Sequence, residues 1–361
     1  MPKVSIALPI YNGENFVCDA IESILGQSFQ DFELIISDNA STDRSGEICK
    51  GYAAREPRIR YVRNDTNIGA AANFNLAFSL ARGEYFKWAA HDDVLHSDFL
   101  AACVDVLDRD PSVVLCFSRI VNIDSSGRPA GTYEFDNELA FNSDSTHRRF
   151  REFMDMRHWC IAVFGLFRTD ALRNTQLIDN YVGSDRTLVA ELSLVGGVCR
   201  LPEFLFFRRD HPGSSVVTIR DPQERWGWFD PSKAGKVCFP HWRFGREFIR
   251  SVRKTQPGFV QRLLCYFHIA GWYWKYSSLL RRDLLGAARH TLRKTRLGRL
   301  LDPWLFVDIT AAFREQLRRT AAGSLLDRVL FLDLKMAARD ILARSETGRS
   351  LLAARRHILR R

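Results

Sequence analysis

The residues best suited to chemistry in this sequence are two adjacent carboxylates, Asp92 and Asp93, which follow the mainly apolar run 85–88. Unpaired charge beside a hydrophobic core is costly, so the pair needs a structural or chemical reason. One reason is capping of the helix that follows. The other is a divalent cation such as Mg²⁺ or Mn²⁺, which binds carboxylate oxygens and takes its other ligands from water or substrate phosphates.

Strand-like and helix-like segments alternate through the first 120 residues. The strand-like runs are 4–8, 32–37, 59–62 and 85–88. Stretches with helical spacing follow the first three of them, at 14–25, 43–54 and 70–81. This alternation predicts an α/β fold with a mostly parallel sheet sandwiched by helices.

Polar residues stand directly after each of these strands, in the segments 9–12, 38–43, 64–69 and 91–93. In open α/β sheets ligands bind beyond the carboxyl ends of the strands, so the four segments are expected to open on one edge. Helix capping competes with this interpretation for residues 41–43, and also for Ser97 before the helix expected at 100–107. The convergence of four polar strand ends favours a ligand site.

The glycine motifs that bind phosphate in two common α/β classes do not occur in the sequence. It contains neither G-x-G-x-x-G nor G-x-x-x-x-G-K-[ST], which argues against a Rossmann dehydrogenase and a P-loop protein. Phosphates at this edge would therefore be held by a metal ion. The predicted ligand is a nucleotide diphosphate on a cation.

Several segments together resemble the family-two glycosyltransferases of the GT-A fold. They are VSIALPIYN at 4–12, ELIISDNASTD at 33–43, NIG at 67–69, GEY at 83–85 and HDD at 91–93. The resemblance covers about the first 215 residues in motif order and spacing. It implies an inverting enzyme that moves a sugar from a UDP- or dTDP-sugar to a hydroxyl of a glycan or lipid-linked acceptor in cell-surface polysaccharide assembly.

The resemblance also implies roles for single residues of the nucleotide-sugar site. Pro9 and Tyr11 would line the base pocket, and Asp38 would accept a hydrogen bond from the pyrimidine ring. Asp92 matches the second carboxylate of the family's D-x-D motif and would bridge Mg²⁺ or Mn²⁺ to the diphosphate, with Asp93 in support. Further donor-site residues are expected at Asn12, Glu14, Asn39, Asn67 and His91. Two positions depart from the family's pattern, with Asn39 in place of Asp and Ala90 at the first position of D-x-D.

Two later segments extend the resemblance. Residues 183–186, Gly-Ser-Asp-Arg, resemble the family's Glu-Asp motif, with Ser184 in place of Glu and Asp185 at the position of the general base. An acceptor hydroxyl must lose its proton as it attacks the anomeric carbon, so a carboxylate near that oxygen is required; helix capping by Asp185 is the alternative. Residues 207–214 resemble the terminal R-x-H segment, which implies that Arg208 and His211 contact the diphosphate and that His211 also serves the metal.

Charge divides the chain into two parts. Residues 231–361 carry 28 Lys and Arg against 9 Asp and Glu, a net charge of +19. The whole chain has 52 Lys and Arg and 42 Asp and Glu, so residues 1–230 carry 24 against 33, a net charge of −9. We therefore predict a catalytic domain over 1–220 and a basic, aromatic-rich helical extension over 221–361. Such helices suit an anionic membrane surface; a structural lid or a homo-oligomer contact is the alternative.

Location and competing functions follow from further features of the sequence. The eight cysteines show no C-x-x-C spacing, the apolar N-terminal run closes at Pro9, and no window has the ~18 uncharged apolar residues of a membrane span. We expect a cytoplasmic protein, peripheral on the inner face of the membrane. A sugar nucleotidyltransferase would need a Gly-rich basic loop where residues 10–14 stand. A non-catalytic polyanion-binding module is the other rival, although no nucleic-acid-binding motif accompanies the basic half and nucleic acid is not expected.

Overall fold

The structure is a computed structural model. It describes the residues 1–132, 143–155, 160–214, 218–219, 222–233, 236–255, 257–293 and 295. The chain divides into two compact units, Met1–Tyr276 and Ser277–Arg361. Within the described ranges no helix is long and apolar enough to cross a membrane.

Four parallel strands form the first half of the sheet, in the order β3-β2-β1-β4. They are β1 (Val4–Ile10), β2 (Phe32–Asp38), β3 (Ile59–Arg63) and β4 (Tyr85–Trp88). The helices between them are α1 (Val17–Leu25), α2 (Ser45–Ala53) and α3 (Ala70–Ser79). The predicted parallel α/β arrangement is confirmed.

Helices cover both faces of this half of the sheet. Val4, Ile6 and Leu8 of β1 share one core cluster with apolar residues of α1. On the opposite face, Phe78 of α3 packs edge-on against Phe86 of β4, with ring centroids 4.7 Å apart. All residues of β1 and β2 are consequently buried, as expected for strands between two helical layers.

The second half of the sheet is mixed and continues in the order β8-β6-β9-β5, with β7 paired to β6. The strands are β5 (Val94–Leu95), β6 (Val113–Ile123), β7 (Pro129–Thr132), β8 (Leu166–Arg168) and β9 (Gly197–Arg209). Strand β8 is antiparallel to both β4 and β6, and β5 is antiparallel to β9, where Val94 pairs with Phe207. This last pairing brings the end of β9 beside residues 91–93.

The remaining helices are, in chain order, α4 (Phe99–Arg109), α5 (Thr146–Met154), α6 (Thr169–Arg173), α7 (Ser184–Val195), α8 (Pro222–Phe229), α9 (Pro240–Thr255), α10 (Phe259–Lys275) and α11 (Ser277–Arg293). Short 3₁₀ turns occur at Ile161–Phe164 and Pro231–Lys233. Helical spacing in the sequence over 150–159 also predicts a helix; α5 begins earlier, at Thr146, and residues 156–159 lie outside the described ranges.

Helices α9 and α10 pack against α5 and α7 within the first unit. Phe248 of α9 meets Phe150 of α5 edge-on, and the indole N–H of Trp272 donates to the Met154 carbonyl at 2.9 Å. The compact unit that contains the sheet therefore extends to Tyr276. The division into domains at residue 220 stays a prediction, and residues 296–361 of the predicted extension lie outside the described ranges.

The start of α4 corrects one expectation. Asp98, not Ser97, occupies the N-cap position, and neither residue makes a side-chain cap. The amide oxygen of Gln27 instead accepts the backbone N–H of Leu100 at 2.9 Å. The free N–H group at this helix start is thus bonded by a residue more than 70 positions away, and such a contact cannot be predicted from the local sequence.

Candidate active site

The loops after β1 and β2 are bound together by reciprocal hydrogen bonds. The Asn12 amide oxygen accepts the Thr42 backbone N–H at 2.8 Å. Asp43 accepts the Glu14 backbone N–H at 3.0 Å, and Glu14 accepts that of Arg44 at 2.9 Å. The structure thus places Asn12 and Glu14 at the predicted edge, where their side chains fix the shape of the two loops.

Asp38 ends β2 as a fully buried carboxylate with three protein donors. Oδ1 accepts the Ser41 backbone N–H at 2.8 Å, and Oδ2 accepts the Tyr61 hydroxyl at 2.6 Å and the guanidinium of Arg63. Burial opposes ionisation, but the bonds from Ser41, Tyr61 and Arg63 outweigh it and hold the pKa of Asp38 below its ordinary value. A carboxylate has about four acceptor sites, so capacity for one further donor remains.

The two residues expected in the base pocket differ in exposure. Pro9 lies in the buried strand β1, paired in register with Ser37. Tyr11 lies just beyond the strand and is 38% exposed. Of the two, Tyr11 has a ring surface that a planar base can contact.

Asn39 and Asn67 meet each other directly. The Asn39 amide donates to Asn67 Oδ1 at 2.8 Å, while its own oxygen accepts the Ile68 backbone N–H at 2.9 Å. Asn67 Oδ1 also accepts the Gly69 backbone N–H at 2.9 Å. Asn39 therefore orders the loop after β3, and this role needs a donor that the Asp of the family's pattern could not supply.

Asp92 and Asp93 face different surroundings. Asp92 is partly exposed, and its Oδ2 lies 3.0 Å from Nε2 of His211. Asp93 is buried, and its Oδ1 accepts the Arg209 backbone N–H at 2.9 Å. Burial and the charge of Asp92 raise the pKa of Asp93 to about 8. Asp92 is thus the member of the pair available to a ligand.

The three predicted metal ligands do not form a preformed cage. In the part of the chain that the structure describes, no group of three or more His, Cys, Asp or Glu side chains is placed to hold a metal. Asp92 and His211 are together, whereas Asp93 is engaged by the backbone of β9. One carboxylate suffices where water and substrate phosphates complete the coordination of Mg²⁺ or Mn²⁺, so the residues present fit such an ion.

Arg209 is the residue of this site that sequence reasoning missed. It is buried, and its guanidinium donates to the Asp92 carbonyl at 2.9 Å and to Asp19 of α1 at 2.8 Å. It also lies over the Phe16 ring, 4.7 Å from the centroid. Arg208, the predicted contact, is partly buried and pairs with Asp210 at 2.9 Å. The register of β9 against β5 directs these two neighbouring arginines to different partners. No local sequence signal predicts which of them contacts Asp92.

His91 and Lys87 pack around the same strand end. The His91 ring lies against Gly13, where an added Cβ would be 2.4 Å from its Cδ2, so this close approach requires glycine. Lys87 is fully buried in β4, and its amine donates to the Phe164 carbonyl and lies 4.4 Å from the centroid of Phe99. Burial lowers the pKa of Lys87 to about 7.

Asp185 lies in the first turn of α7. The N-cap position belongs to Gly183, with φ +87° and no side-chain cap bond, so the capping alternative for Asp185 is not what the structure shows. Burial raises the pKa of Asp185, although Arg186 and the backbone N–H groups of its own turn oppose the shift. Asp185 is half-buried, and a carboxylate with a raised pKa is a stronger base than one with the ordinary value, which suits proton abstraction.

A cavity of about 280 Å³ lies between the loop after β3 and the segment that leads to Asp185. Ile68 and Asn75 line one side, Gln176 and Asn180 the other, and Phe229 closes it. Amide groups beside an aromatic ring can both hydrogen-bond and stack on a polar ligand.

The parallel sheet, its polar strand ends and the carboxylate pair after β4 together define an α/β fold of the GT-A type. Residues 5–180 match the model of Glycosyl transferase family 2, and this part of the chain belongs to that family. The predicted family is thereby confirmed. The match favours a glycosyltransferase over a sugar nucleotidyltransferase or a non-catalytic module.

Similar proteins support the same class. The chain is 34% identical to the glycosyltransferase GlyG of Streptococcus pneumoniae serotype 4 over 113 residues, which is 31% of this chain and 38% of that protein. It is 34% identical to chondroitin synthase of Escherichia coli over 127 residues, or 35% and 18% of the two chains. The putative glycosyltransferase EpsE of Bacillus subtilis is 45% identical over 94 residues, or 26% and 34%. The matches thus span well under half of these relatives' own lengths.

Solved structures share the fold at low sequence identity. Residues 1–349 of S. aureus TarS superpose with a TM-score of 0.53 at 15% identity, covering 81% of this chain and 80% of that one. The same fragment in complex with UDP-GlcNAc gives a TM-score of 0.52 at 15% identity, with 81% of each chain covered. The GT-A type of fold predicted from the sequence is confirmed.

Proposed function

We propose that this chain is an inverting glycosyltransferase that uses a nucleotide diphosphate sugar, most simply a UDP- or dTDP-sugar. The observation that carries the proposal is the position of Asp92, a partly exposed carboxylate at the end of β4 beside His211. The complex of the TarS fragment with UDP-GlcNAc supports the donor class. The name of the chondroitin synthase supports a glycan product.

The donor is held by the polar strand ends. Tyr11 contacts the base and Asp38 receives one hydrogen bond from it. Asp92, with His211 beside it, would hold Mg²⁺ or Mn²⁺, and the ion would offset the negative charge of the diphosphate leaving group. Arg208 adds positive charge near the same group, and His211 lies beside Asp92. Arg209 supports them, because its guanidinium donates to the Asp92 carbonyl and its backbone N–H donates to the Asp93 carboxylate.

Asp185 performs the proton transfer. The acceptor hydroxyl oxygen attacks the anomeric carbon, its proton passes to the Asp185 carboxylate, and the bond from that carbon to the diphosphate oxygen breaks with its electron pair. A single displacement of this kind inverts the anomeric configuration. General-base assistance contributes typically about 10²–10⁴-fold to such a step.

The acceptor is a hydroxyl of a glycan or a lipid-linked sugar in cell-surface polysaccharide assembly, and we place the enzyme at the cytoplasmic face of the membrane. The cavity beside Asn180 and Phe229 suits one or two sugar rings. If it binds the acceptor, Asn180→Ala raises the acceptor KM several-fold and leaves donor affinity unchanged. An unchanged acceptor KM would show that this cavity does not bind the acceptor.

The proposal is tested with a panel of nucleotide sugars in thermal-shift assays, with and without Mn²⁺, followed by turnover of the stabilising donor. We expect a UDP- or dTDP-sugar to stabilise the protein in the presence of metal, and Asp92→Ala to abolish turnover. Asp105→Ala, an exposed carboxylate on α4, is the matched control and keeps full turnover. Near-normal turnover by Asp92→Ala at saturating donor would refute the assignment.

A further inference from the structure

One face of α10 leaves a line of large apolar side chains in solvent. We call it the α10 ridge; its members are Phe259, Leu263, Phe267 and Trp274. Phe259 and Phe267 are each 73% exposed, Leu263 60% and Trp274 85%. They are four or seven residues apart, which places them along one side of the helix. Single exposed apolar residues are ordinary, but a continuous line of them marks a binding surface.

The opposite side of α10 is anchored in the protein. Cys265, Ile269 and Trp272 are buried there. Trp272 meets Phe248 of α9 edge-on at 5.4 Å and donates to the Met154 carbonyl of α5. The helix is therefore held by one face and presents the ridge from a fixed support.

The helix pair that carries the ridge, α9 and α10, is basic. The sequences of α9 and α10 contain seven Lys and Arg against a single Glu. Arg262 lies over the Phe259 ring, 5.9 Å from its centroid. Burial, and after it the charges of His147 and Arg151, lower the pKa of His268, the neighbour of Phe267. Arg151 is exposed and pairs with Glu152 at 2.8 Å. A surface with this charge is complementary to an anionic partner.

We propose that the α10 ridge docks on the surface of an anionic lipid bilayer. Phenylalanine and tryptophan side chains suit the boundary between headgroups and acyl chains, and nearby Lys and Arg are attracted to lipid phosphates. From Phe259 to Trp274 the ridge extends ~22 Å along the helix axis, so it can lie flat on a membrane. Docking would bring the enzyme to lipid-linked acceptors, and in that respect it rests on the proposed function.

Two other occupants fit the ridge less well. A second copy of the chain in a two-fold contact would bring the basic surroundings of the ridge against themselves. Nucleic acid would use aromatic rings as stacking platforms, whereas the aliphatic Leu263 at the middle of the ridge offers no such surface. A lipid surface uses both the apolar line and the charge around it.

Flotation of the full chain with vesicles, in the absence of any donor, tests the proposal. Vesicles of phosphatidylcholine containing roughly one-third phosphatidylglycerol should bind about tenfold more protein than pure phosphatidylcholine, and binding should weaken as salt is raised. The double variant Leu263→Ser/Phe267→Ser should lose about nine-tenths of the binding. Val195→Ser, which changes an exposed apolar residue at the end of α7, is the matched control and should bind normally.

Trp274 provides a local readout. Brominated lipids should quench part of the tryptophan fluorescence of the wild type, and Trp274→Phe should remove most of that quenching. Equal binding to both vesicle types, binding to neither, or a concentration-dependent dimer that Leu263→Ser/Phe267→Ser abolishes would overturn the proposal. Metal-dependent stabilisation by nucleotide sugar should persist in the double variant, so failure of docking and failure of the proposed function are separate results.

Discussion

Asp38 and Asp185 are both poorly accessible carboxylates at element ends, yet their surroundings shift their pKa values in opposite directions. Ser41, Tyr61 and Arg63 donate to Asp38 and lower its pKa against the effect of burial. Burial dominates at Asp185 and raises its pKa. The proposed donor edge is thus built from satisfied hydrogen bonds, whereas the proposed base, Asp185, has a raised affinity for a proton.

The two regions are also held by different forces. The loops of the donor edge bind each other through backbone and side-chain hydrogen bonds. The segment before Asp185 is held by packing and charge from α9: Phe244 fills the space beside Gly183, where a Cβ would lie 2.4 Å from its Cζ. Arg243 pairs with Asp179 at 2.8 Å. Helix α9 lies beyond the residues that the family model matches, so the position of the proposed base depends on a part of the chain that the family motifs do not describe.

Among changes outside the proposed metal site, the largest effect is expected from Asp185→Asn. Removal of the base should lower kcat by about 10²-fold or more, because the amide cannot accept the acceptor proton. Donor affinity should stay close to that of the wild type. Steady-state kinetics with donor titration measure both quantities, and an intact kcat would return Asp185 to a structural role.

The pH dependence of kcat should show the raised pKa of Asp185. The base acts in its ionised form, so kcat is full above its folded-state pKa and falls about tenfold per unit as pH drops below it. The acid limb should therefore lie above 3.8, the ordinary value of an aspartate. A limb at or below that value, or an unchanged limb in Asp185→Asn, would contradict the assignment.

A smaller loss is expected from Phe244→Ala. The change opens space beside Gly183 and loosens the start of α7, so kcat should fall about tenfold while the donor KM stays unchanged. Phe239→Ala, an exposed phenylalanine just before α9, is the control. Phe244→Leu should restore most of kcat; a loss confined to thermal stability would show that α9 does not position the base.

On the donor edge, Asn39→Asp should weaken donor binding several-fold. The carboxylate cannot donate to Asn67, so an ordering bond worth about 1 kcal/mol is lost and the loop after β3 loosens. Asn174→Asp, which removes an exposed amide bond to the Asp170 carbonyl, is the matched control. Donor affinity is measured by calorimetry. Equal effects of the two changes would show that Asn39 does not order the loop after β3 for donor binding.

The smallest change is expected from Asp93→Asn. Asp93 is buried against the backbone of β9, and an amide oxygen can accept the Arg209 N–H as the carboxylate does. Turnover should fall no more than about twofold, far less than in Asp92→Asn. The reverse order of the two effects would exchange the roles of the pair.

Sequence patterns predicted the strands better than the contacts between loops. The span of β4 agrees with the predicted run 85–88, because continuous buried apolar segments are explicit in a sequence. Helix α1 begins at Val17 and not at residue 14, since Glu14 is engaged by the loop after β2. That loop lies about thirty residues away, and local periodicity does not report such contacts.

The same distinction applies to the site. The motifs located Asp92, His211 and Asp185, and the structure brings the first two together. The roles of Arg209, of the Asn39 amide and of Phe244 depend on contacts with residues far away in the sequence. Strand register and helix packing create those contacts, and neither is encoded in a short motif.

The proposed division of roles, with donor binding at Asp92 and base chemistry at Asp185, is tested most directly by calorimetric titration of the stabilising nucleotide sugar, with and without Mn²⁺, into the wild type, Asp92→Asn and Asp185→Asn. We expect Asp92→Asn to lose the metal-dependent part of the affinity. Asp185→Asn should bind donor and metal like the wild type and fail only in turnover. Metal-dependent binding that persists in Asp92→Asn, or that disappears in Asp185→Asn, would contradict the separation of donor binding from base chemistry.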